Sequence, residues 1–159
     1  MAEGAGAPDG EGGVSVSIRR AAAADLPAIV ALDATTSGEP KPDYWADLFA
    51  EFSDAQAAHR VFLVAEVEGR VAGFITGEIR AFEFGAERCG WIFAVSVDPG
   101  LRVRHVGTRL FEAICAAFAR AGVDKIRTLV DRDADLVLAF FRSQGMLFGR
   151  FLQLEMSLD

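Results

Sequence analysis

Residues 95–110 contain the side chains whose types and order suggest chemistry. The segment Cys89–Val97 is nearly continuously apolar, which predicts a strand covered on both faces. A loop with Arg102 and Arg104 follows, and apolar residues at helical spacing begin near His105. Amide groups at the start of a helix and its dipole favour anions, and guanidinium groups add positive charge. The junction therefore predicts a phosphate site, and a pyrophosphate would fit it.

Composition limits the partners of such a site. The chain has 159 residues, of which 52% are apolar and 13 are Phe, so it can bury one core. Its 16 basic and 23 acidic residues give a net charge of −7, which argues against nucleic acid and favours a cationic substrate such as an amine. We expect a flexible tail over residues 1–13 and a single domain over 14–159.

The cysteines and histidines are too few and too scattered to predict a metal site or a disulfide framework. Cys89 and Cys115 each lie in an apolar stretch, as is typical of reduced core thiols in a cytoplasmic protein. His59 and His105 are far apart in the chain, so a zinc site would need mostly carboxylate ligands. No signal peptide and no membrane span are expected, because the first residues contain no apolar run.

Hydrophobic spacing and turn residues predict the elements that position the junction. They give a strand over 14–19, helices over 25–36 and 42–56, a hairpin over 61–84, a strand over 89–97, a helix over 105–121, a strand over 125–130, a helix over 133–144 and strand-like residues over 146–158. Helices alternate with strands along much of this order, which predicts an α/β protein.

The loop has a counterpart in a known family. Its sequence, Arg102-Val-Arg-His105-Val-Gly107, resembles the acyl-coenzyme A loop of the GNAT superfamily of N-acetyltransferases, whose pattern is Arg/Gln-x-x-Gly-x-Gly/Ala. The order of elements over 14–158 is similar too, and the run Thr128 to Gly145 resembles the family's last helix. The resemblance implies a three-layer α/β fold with a central mixed, twisted sheet of six or seven strands and helices on both faces.

The resemblance also implies acetyl-coenzyme A as cofactor and assigns residues to it. In the family, the strand before the loop pairs with the pantetheine arm, which enters a gap between two strands; here these are 91–97 and 125–130. The implied contacts are Val95 and Val97 for the arm, Arg102, Val103, Arg104, His105, Val106, Gly107 and Thr108 for the phosphates, and Phe141 on the last helix.

Three departures from the family pattern bear on activity. Val103 and His105 replace glycines, which would cost about 1–2 kcal/mol each if the loop needs a positive φ at these positions. Phe141 stands where many members have the tyrosine that protonates the departing thiolate. Ala134 and Trp91 replace an asparagine that contacts the cofactor and a glutamate that some members use as base.

The resemblance implies acetyl transfer to a primary amine, which we expect to proceed by direct attack in a ternary complex. Glu78 is the candidate catalytic residue, because its carboxylate could accept the proton of the amine through water. A backbone N–H of the strand at Val95–Val97 would polarise the thioester carbonyl. Cys115 lies on an apolar helix face and is expected to pack rather than to act as a nucleophile.

Two alternatives remain open at this stage. The missing tyrosine and glutamate suit an acyl-coenzyme A binding or sensing module, and a structural homodimer with a vestigial site is the third possibility. Phe82, Phe84, Phe148 and Phe151 could line a substrate pocket, a dimer face or the core. The expected substrate is a small-molecule or peptide amine, and neither nucleic acid nor a membrane is an expected partner.

Overall fold

The computed structural model describes residues 15–53, 59–81, 85 and 87–158, and for 102–104 it describes the backbone alone. Its elements are β1 (Val16–Arg20), α1 (Leu26–Ser37), α2 (Pro42–Phe52), β2 (Arg60–Val67), β3 (Arg70–Arg80), β4 (Cys89–Val97), α3 (Val106–Arg120), β5 (Ile126–Thr128) and α4 (Asp135–Ser143). Short 3₁₀ helices cover Ala23–Asp25 and Pro99–Arg104. The chain divides into two compact units, and the boundary between them along the sequence lies between residues 127 and 128.

The strands form one mixed sheet in the order β1-β2-β3-β4-β5, and the first four strands are antiparallel neighbours. The predicted hairpin is confirmed as β2 and β3. Glu68 and Gly69 join the two strands with φ of 51° and 76°, the left-handed pair that suits the twist of a hairpin. Beyond α3, the N–H of Gly90 donates to the carbonyl of Lys125 at 2.8 Å and ties the start of β4 to the residues before β5.

The expectation of six or seven strands is wrong, because the described residues form a sheet of five. Residues 146–158 form no strand, although their apolar residues were strand-like. Their large apolar side chains are instead exposed, from 49% to 91%: Leu147, Phe148, Phe151, Leu152, Leu154, Met156 and Leu158. Alternation predicts which face of a strand would be apolar, but a strand also needs a partner edge, which the alternation does not specify.

Helices α1 and α2 cover one face of the sheet. Trp45 is 1% exposed at the centre of this layer, and its indole N–H donates to Asp33 of α1 at 3.0 Å. Lys41 ion-pairs with the same carboxylate at 3.0 Å, so the two helices are held together at their polar edge. The buried cluster beneath them is Ile29, Leu32, Trp45, Phe52, Phe62, Val64 and Phe74.

Helix α3 covers the opposite face, which confirms helices on both faces. Gly73, Gly77 and Gly90 lie under this helix, and a Cβ at any of them would come within 3.2 Å of Leu110 or Phe118. The missing side chains let the helix approach the sheet closely. Among the helices within the described ranges, none is long and apolar enough to span a bilayer.

The helix ends follow the predicted signals, with one exception. Gly122 and Gly145 have φ of 80° and 88°, as expected just after α3 and α4. The exception is Asp25, which stands at the N-cap of α1 but makes no side-chain bond to that helix; its carboxylate accepts the N–H of Ala22 at 2.7 Å and two bonds from Arg19. It therefore caps the 3₁₀ turn that precedes the helix. The predicted tail over residues 1–13, together with Phe82 and Phe84, lies outside the described residues.

Candidate active site

A β-bulge interrupts the pairing of the two central antiparallel strands. Thr76 pairs with Ala94 and Gly77 with Ile92, so Phe93 is an extra residue in β4. Such a residue leaves the ladder and redirects the peptide groups around it. Its side chain is 43% exposed and contacts Phe52 at the end of α2, with ring centroids 6.5 Å apart. The bulge therefore lies open to solvent on the α2 side of the sheet.

The segment after β4 leads directly into α3. The side chain of Asp98 accepts the N–H of Gly100 at 2.8 Å and starts the 3₁₀ helix Pro99–Arg104. His105 then ends that helix and begins α3 with φ 57° and ψ 25°, in the left-handed region. A left-handed backbone is thus retained at one of the two family glycine positions, whereas Val103 lies within the 3₁₀ helix and needs no positive φ.

The first turn of α3 presents main-chain N–H groups. His105 makes no side-chain cap bond, and its carbonyl accepts the N–H of Arg109 at 3.0 Å, the first bond of the helix. Val106 is fully buried and anchors the turn, while Gly107 and Thr108 are half-buried. An uncapped helix start with a small second residue suits an anion. The side chains of Arg102 and Arg104 lie outside the described part of the chain.

Val95 and Val97 lie in the last part of β4, where they pair with Ile75 and Gly73 of β3. Both side chains are half-buried. On the other side, β5 has three residues against nine in β4, and the bond from Gly90 places it near the start of β4. The predicted gap between residues 91–97 and 125–130 stays a prediction.

Glu78 lies on the α1–α2 face of β3 together with Phe74, because the intervening Gly77 faces Phe118 of α3 while Phe74 packs on Trp45 of α2. The residue is 8% exposed, so most of its surface is withdrawn from solvent. Arg60 of β2 pairs with it at 3.3 Å, and Arg80 pairs with its other oxygen. These three residues, with His59 and Ile79, line a cavity of about 410 Å³.

Phe141 lies in α4, within the second unit. It is buried, and its ring packs against Phe140 in a T-shaped arrangement with centroids 5.2 Å apart. Its carbonyl accepts the N–H of Met146 just after the helix. The position thus carries a packed aromatic ring without a hydroxyl group.

Cys115 was expected to pack rather than react, and its surroundings agree with that. Burial raises the pKa of its thiol to about 11, and the charge of Glu112 acts in the same direction. The thiolate fraction at neutral pH is therefore very small, and the thiolate is the nucleophilic form.

Sequence reasoning missed three residues of this region. Arg80 follows Glu78 by two residues in the strand and so had to share its face, a signal that could have been used. Arg60 could have been found by pairing the hairpin outward from its turn. Phe93 could not have been identified, because an apolar residue at a bulge looks the same in the sequence as any other apolar residue of the strand.

Comparison with known proteins adds independent information. Residues 26–146 match the model of the acetyltransferase (GNAT) family. L-2,4-diaminobutyric acid acetyltransferase of Nocardia farcinica is 32% identical over 79 residues, which is 50% of this chain and 39% of that protein. The chain thus spans well under half the length of this relative.

Solved structures with the same fold include several acetyltransferases. An aminoglycoside N-acetyltransferase in complex with CoA superposes with a TM-score of 0.79 at 17% identity, over 91% of this chain and 96% of that one. An aminoglycoside 6'-N-acetyltransferase from Acinetobacter baumannii gives 0.76 at 14%, over 91% and 100%. Glucosamine-6-phosphate N-acetyltransferase from Arabidopsis thaliana gives 0.68 at 20%, over 91% and 99%. At these identities the likeness concerns the fold.

Proposed function

This chain belongs to the acetyltransferase (GNAT) family, and from that membership we propose that it transfers an acetyl group from acetyl-coenzyme A to a primary amine by direct attack in a ternary complex. The observation that carries the proposal is the left-handed His105 at the start of α3. It keeps, at the position of a family glycine, the backbone turn that leads the strand into the helix. The proposal treats residues 14–159 as one catalytic domain.

The residues at this junction suit coenzyme A. The N–H groups of Val106, Gly107 and Thr108 would hold the pyrophosphate, with the guanidinium groups of Arg102 and Arg104 adding positive charge. The backbone at Val95 and Val97 would pair with the pantetheine arm. When bound, acetyl-coenzyme A supplies a thioester whose carbonyl carbon is open to attack.

The chain would act mainly through its backbone. A peptide N–H of β4 close to the bulge at Phe93 would donate to the thioester oxygen and stabilise the negative charge that develops there. The amine nitrogen forms the new bond to the carbonyl carbon, the carbon–sulfur bond breaks, and the sulfur leaves with its electron pair. With no hydroxyl on Phe141, the sulfur leaves as a bare thiolate, which forfeits roughly 2 kcal/mol at pH 7 for a thiol pKa of about 8.5. The thiolate then takes a proton from water, which recovers part of that cost.

Glu78 is the proposed acceptor of the proton that the amine loses. Its carboxylate lies in a cavity beside the bulge, opposite Trp91 of β4, and a water could connect it to the amine. Because this carboxylate already pairs with two guanidinium groups, we propose acceptors that deprotonate easily. Deprotonation at pH 7 costs about 4.6 kcal/mol for a lysine-type amine with a pKa near 10.4, and about 1 for an α-amino group near 7.7–8.

The transfer involves no covalent enzyme intermediate. The raised pKa of Cys115, caused by burial, keeps this thiol protonated at neutral pH, and Cys89 is fully buried. Neither sulfur therefore attacks the thioester. We also propose a cytoplasmic location, in which both free thiols stay reduced.

The double ion pair at Glu78 favours one second candidate, an acyl-coenzyme A binding or sensing module. Both oxygens of this carboxylate pair with arginines, one with Arg60 and one with Arg80, which leaves less room for the water that would carry the proton. In that case the junction would bind coenzyme A and the amine reaction would not occur.

A homodimer is the assembly we propose. The apolar side chains exposed between Leu147 and Leu158 make a surface that a second copy of the chain could cover. Sedimentation of the wild type and of Leu152→Glu tests this: we expect a dimer that the substitution dissociates. A wild type that sediments as a monomer at high micromolar concentration contradicts it.

Two measurements separate the candidate functions. Calorimetry with coenzyme A and with pantetheine should show tighter binding of coenzyme A, and Arg102→Ala should reduce that difference, because the phosphates are the part lost. A thiol-release assay over a panel of amines then tests transfer. Tight binding of coenzyme A with no release above hydrolysis would support the sensing module.

A further inference from the structure

We infer that the cavity lined by Arg60, Glu78 and Arg80 binds the carboxylate of the acceptor, so that the substrate is an amino acid rather than a polyamine. The inference rests on the proposed function and specifies its substrate class. The cavity of about 410 Å³ is at the small end of the range for ligand pockets. It adjoins the bulge, since Arg80 lies over the ring of Phe93, 5.8 Å from its centroid.

The charges of this cavity oppose those of the whole chain. Among the described lining residues, Arg60 and Arg80 contribute two positive charges and Glu78 one negative charge, so this part of the lining carries one excess positive charge. The whole chain has a net charge of −7. A positive cavity in an acidic protein attracts an anionic group and repels a molecule with several ammonium groups. A carboxylate, with one negative charge, balances the lining.

Arg80 is placed to receive that carboxylate. Its Nε pairs with Glu78, which leaves its two terminal nitrogens as donors at the other side of the planar group. Within the described ranges, neither terminal nitrogen has an acceptor of its own. Two parallel donors match the two oxygens of a carboxylate. Contact with the Phe93 ring and the bond to Glu78 restrict the side chain before the ligand arrives, which lowers the entropic cost of binding.

Arg60 supports binding of the carboxylate indirectly. The Nε of Arg60 pairs with Glu78 at 3.3 Å, and one terminal nitrogen donates to the carbonyl of Glu51 at 3.0 Å. The central carbon of its guanidinium group lies 5.5 Å from the ring centroid of Phe52. These contacts fix Arg60 between β2 and the end of α2. Its positive charge keeps Glu78 compensated while Arg80 binds the ligand. Arg80 is therefore the residue that determines specificity.

The experiment compares two acceptors that differ in one group. Ornithine has a carboxylate, and putrescine is ornithine without it. With saturating acetyl-coenzyme A, we expect the wild type to use ornithine with a kcat/KM about ten- to hundredfold higher, the worth of one charge-assisted contact. Arg80→Gln should abolish that preference by raising KM for ornithine; because Arg80 also pairs with Glu78, any change in kcat should be the same for both amines.

Two further variants keep the result interpretable. Arg70→Gln removes an exposed arginine at the other end of β3 and should leave the preference intact. Arg80→Lys retains the positive charge but not the bidentate geometry of the guanidinium group, so it should keep part of the preference for ornithine. Equal or better use of putrescine by the wild type overturns the inference, and so does a preference that survives Arg80→Gln in protein whose thermal unfolding shows it to be folded.

Failure of the proposed function gives a different result. If the wild type binds coenzyme A but releases no thiol with either amine, the transferase proposal fails and the cavity is tested by binding alone. Calorimetric titration of the coenzyme A complex should then show ornithine bound more tightly than putrescine, with the difference lost in Arg80→Gln. Equal binding of the two overturns the inference.

Discussion

The ring of Phe118 in α3 lies directly on the backbone of Gly90 in β4. A Cβ at Gly90 would fall 2.3 Å from the ring, which no real pair of atoms tolerates. This contact sets the distance between α3 and the central strand of the sheet. Because α3 begins at the left-handed His105 and β4 contains the bulge at Phe93, the same contact fixes the His105 turn relative to the bulge.

Gly90→Ala should destabilise the protein by about 1–3 kcal/mol, because the added methyl forces the ring or the strand to move. Denaturant unfolding measures the loss. Phe118→Leu in the same chain should restore part of it, giving a coupling between the two sites in a double-mutant cycle. Gly149→Ala is the control, since nothing lies within 4 Å of a Cβ there. Additive effects of the two substitutions would show that the contact does not set the packing.

This packing was only half predictable. The spacing of apolar residues gave α3 within one residue at each end, and the run Cys89–Val97 gave β4 with its bounds. Periodicity reports which face of an element is apolar, and it therefore placed α3 against the sheet. It does not report where a helix needs a glycine beneath it, because that depends on the pairing of residues far apart in the chain.

The substitution of His105 tests the turn itself. His105→Gly should leave stability unchanged or raise it by up to about 1 kcal/mol, because Gly adopts a positive φ freely while its extra freedom in the unfolded chain opposes the gain. His105→Val should lose more than that, since a β-branched residue is a genuine outlier there. Thermal unfolding of the two variants measures the difference. A Val variant as stable as the wild type would show that the left-handed turn is not needed.

The candidate site was predicted unevenly. The sequence motif located the His105 turn and the first turn of α3, since local sequence and backbone are linked there. Glu78 was identified, but its two arginine partners were not, because ion pairs between strands depend on register. The prediction of a C-terminal strand was wrong. Residues 146–158 alternate as a strand does, but the sequence does not specify a neighbouring strand for them to pair with.

The ion pair between Arg19 and Asp25 should make the free energy of unfolding depend on pH. Two side-chain bonds from Arg19, at 2.7 and 2.9 Å, hold the pKa of Asp25 below its ordinary value, although burial opposes this. A lowered folded-state pKa gives stability that is present above the unfolded-state value, near 3.9, and is lost as the pH falls through the folded-state value. Asp25→Asn should cost about 1–3 kcal/mol at pH 7.

Unfolding curves at a series of pH values check this. The difference between the wild type and Asp25→Asn should be constant above about pH 5 and shrink below pH 4. Asp43→Asn, on an exposed position of α2, should show no such dependence. A difference that stays constant down to the acid limit contradicts the assignment.

Cys115 should resist alkylation at neutral pH. Burial raises the pKa of its thiol to about 11, so the reactive thiolate is scarce until the pH is well above 9. Mass spectrometry after treatment with iodoacetamide should find little modification at pH 7.5 and a rise with pH, while an unfolded sample reacts at once. Rapid modification of the folded protein at neutral pH would remove the argument against a covalent intermediate.

Glu78→Gln tests the proposed proton acceptor. If water carries the proton of the amine to this carboxylate, kcat should fall by roughly 10²-fold, at the low end for general-base catalysis. The loss should be greatest near neutral pH and shrink at alkaline pH, where more of the amine is already deprotonated. Affinity for coenzyme A should not change, because the His105 turn is not altered.

Glu66→Gln is the matched control, since this glutamate also pairs with an arginine, Arg19, at 3.0 Å in the same sheet. It should lower stability slightly and leave the pH profile of kcat unchanged. A Glu78→Gln enzyme with unaltered kcat and only a lower melting temperature would show that the carboxylate merely holds Arg60 and Arg80 in place. Catalysis would then depend on the backbone of β4 and on the low pKa of the acceptor amine alone.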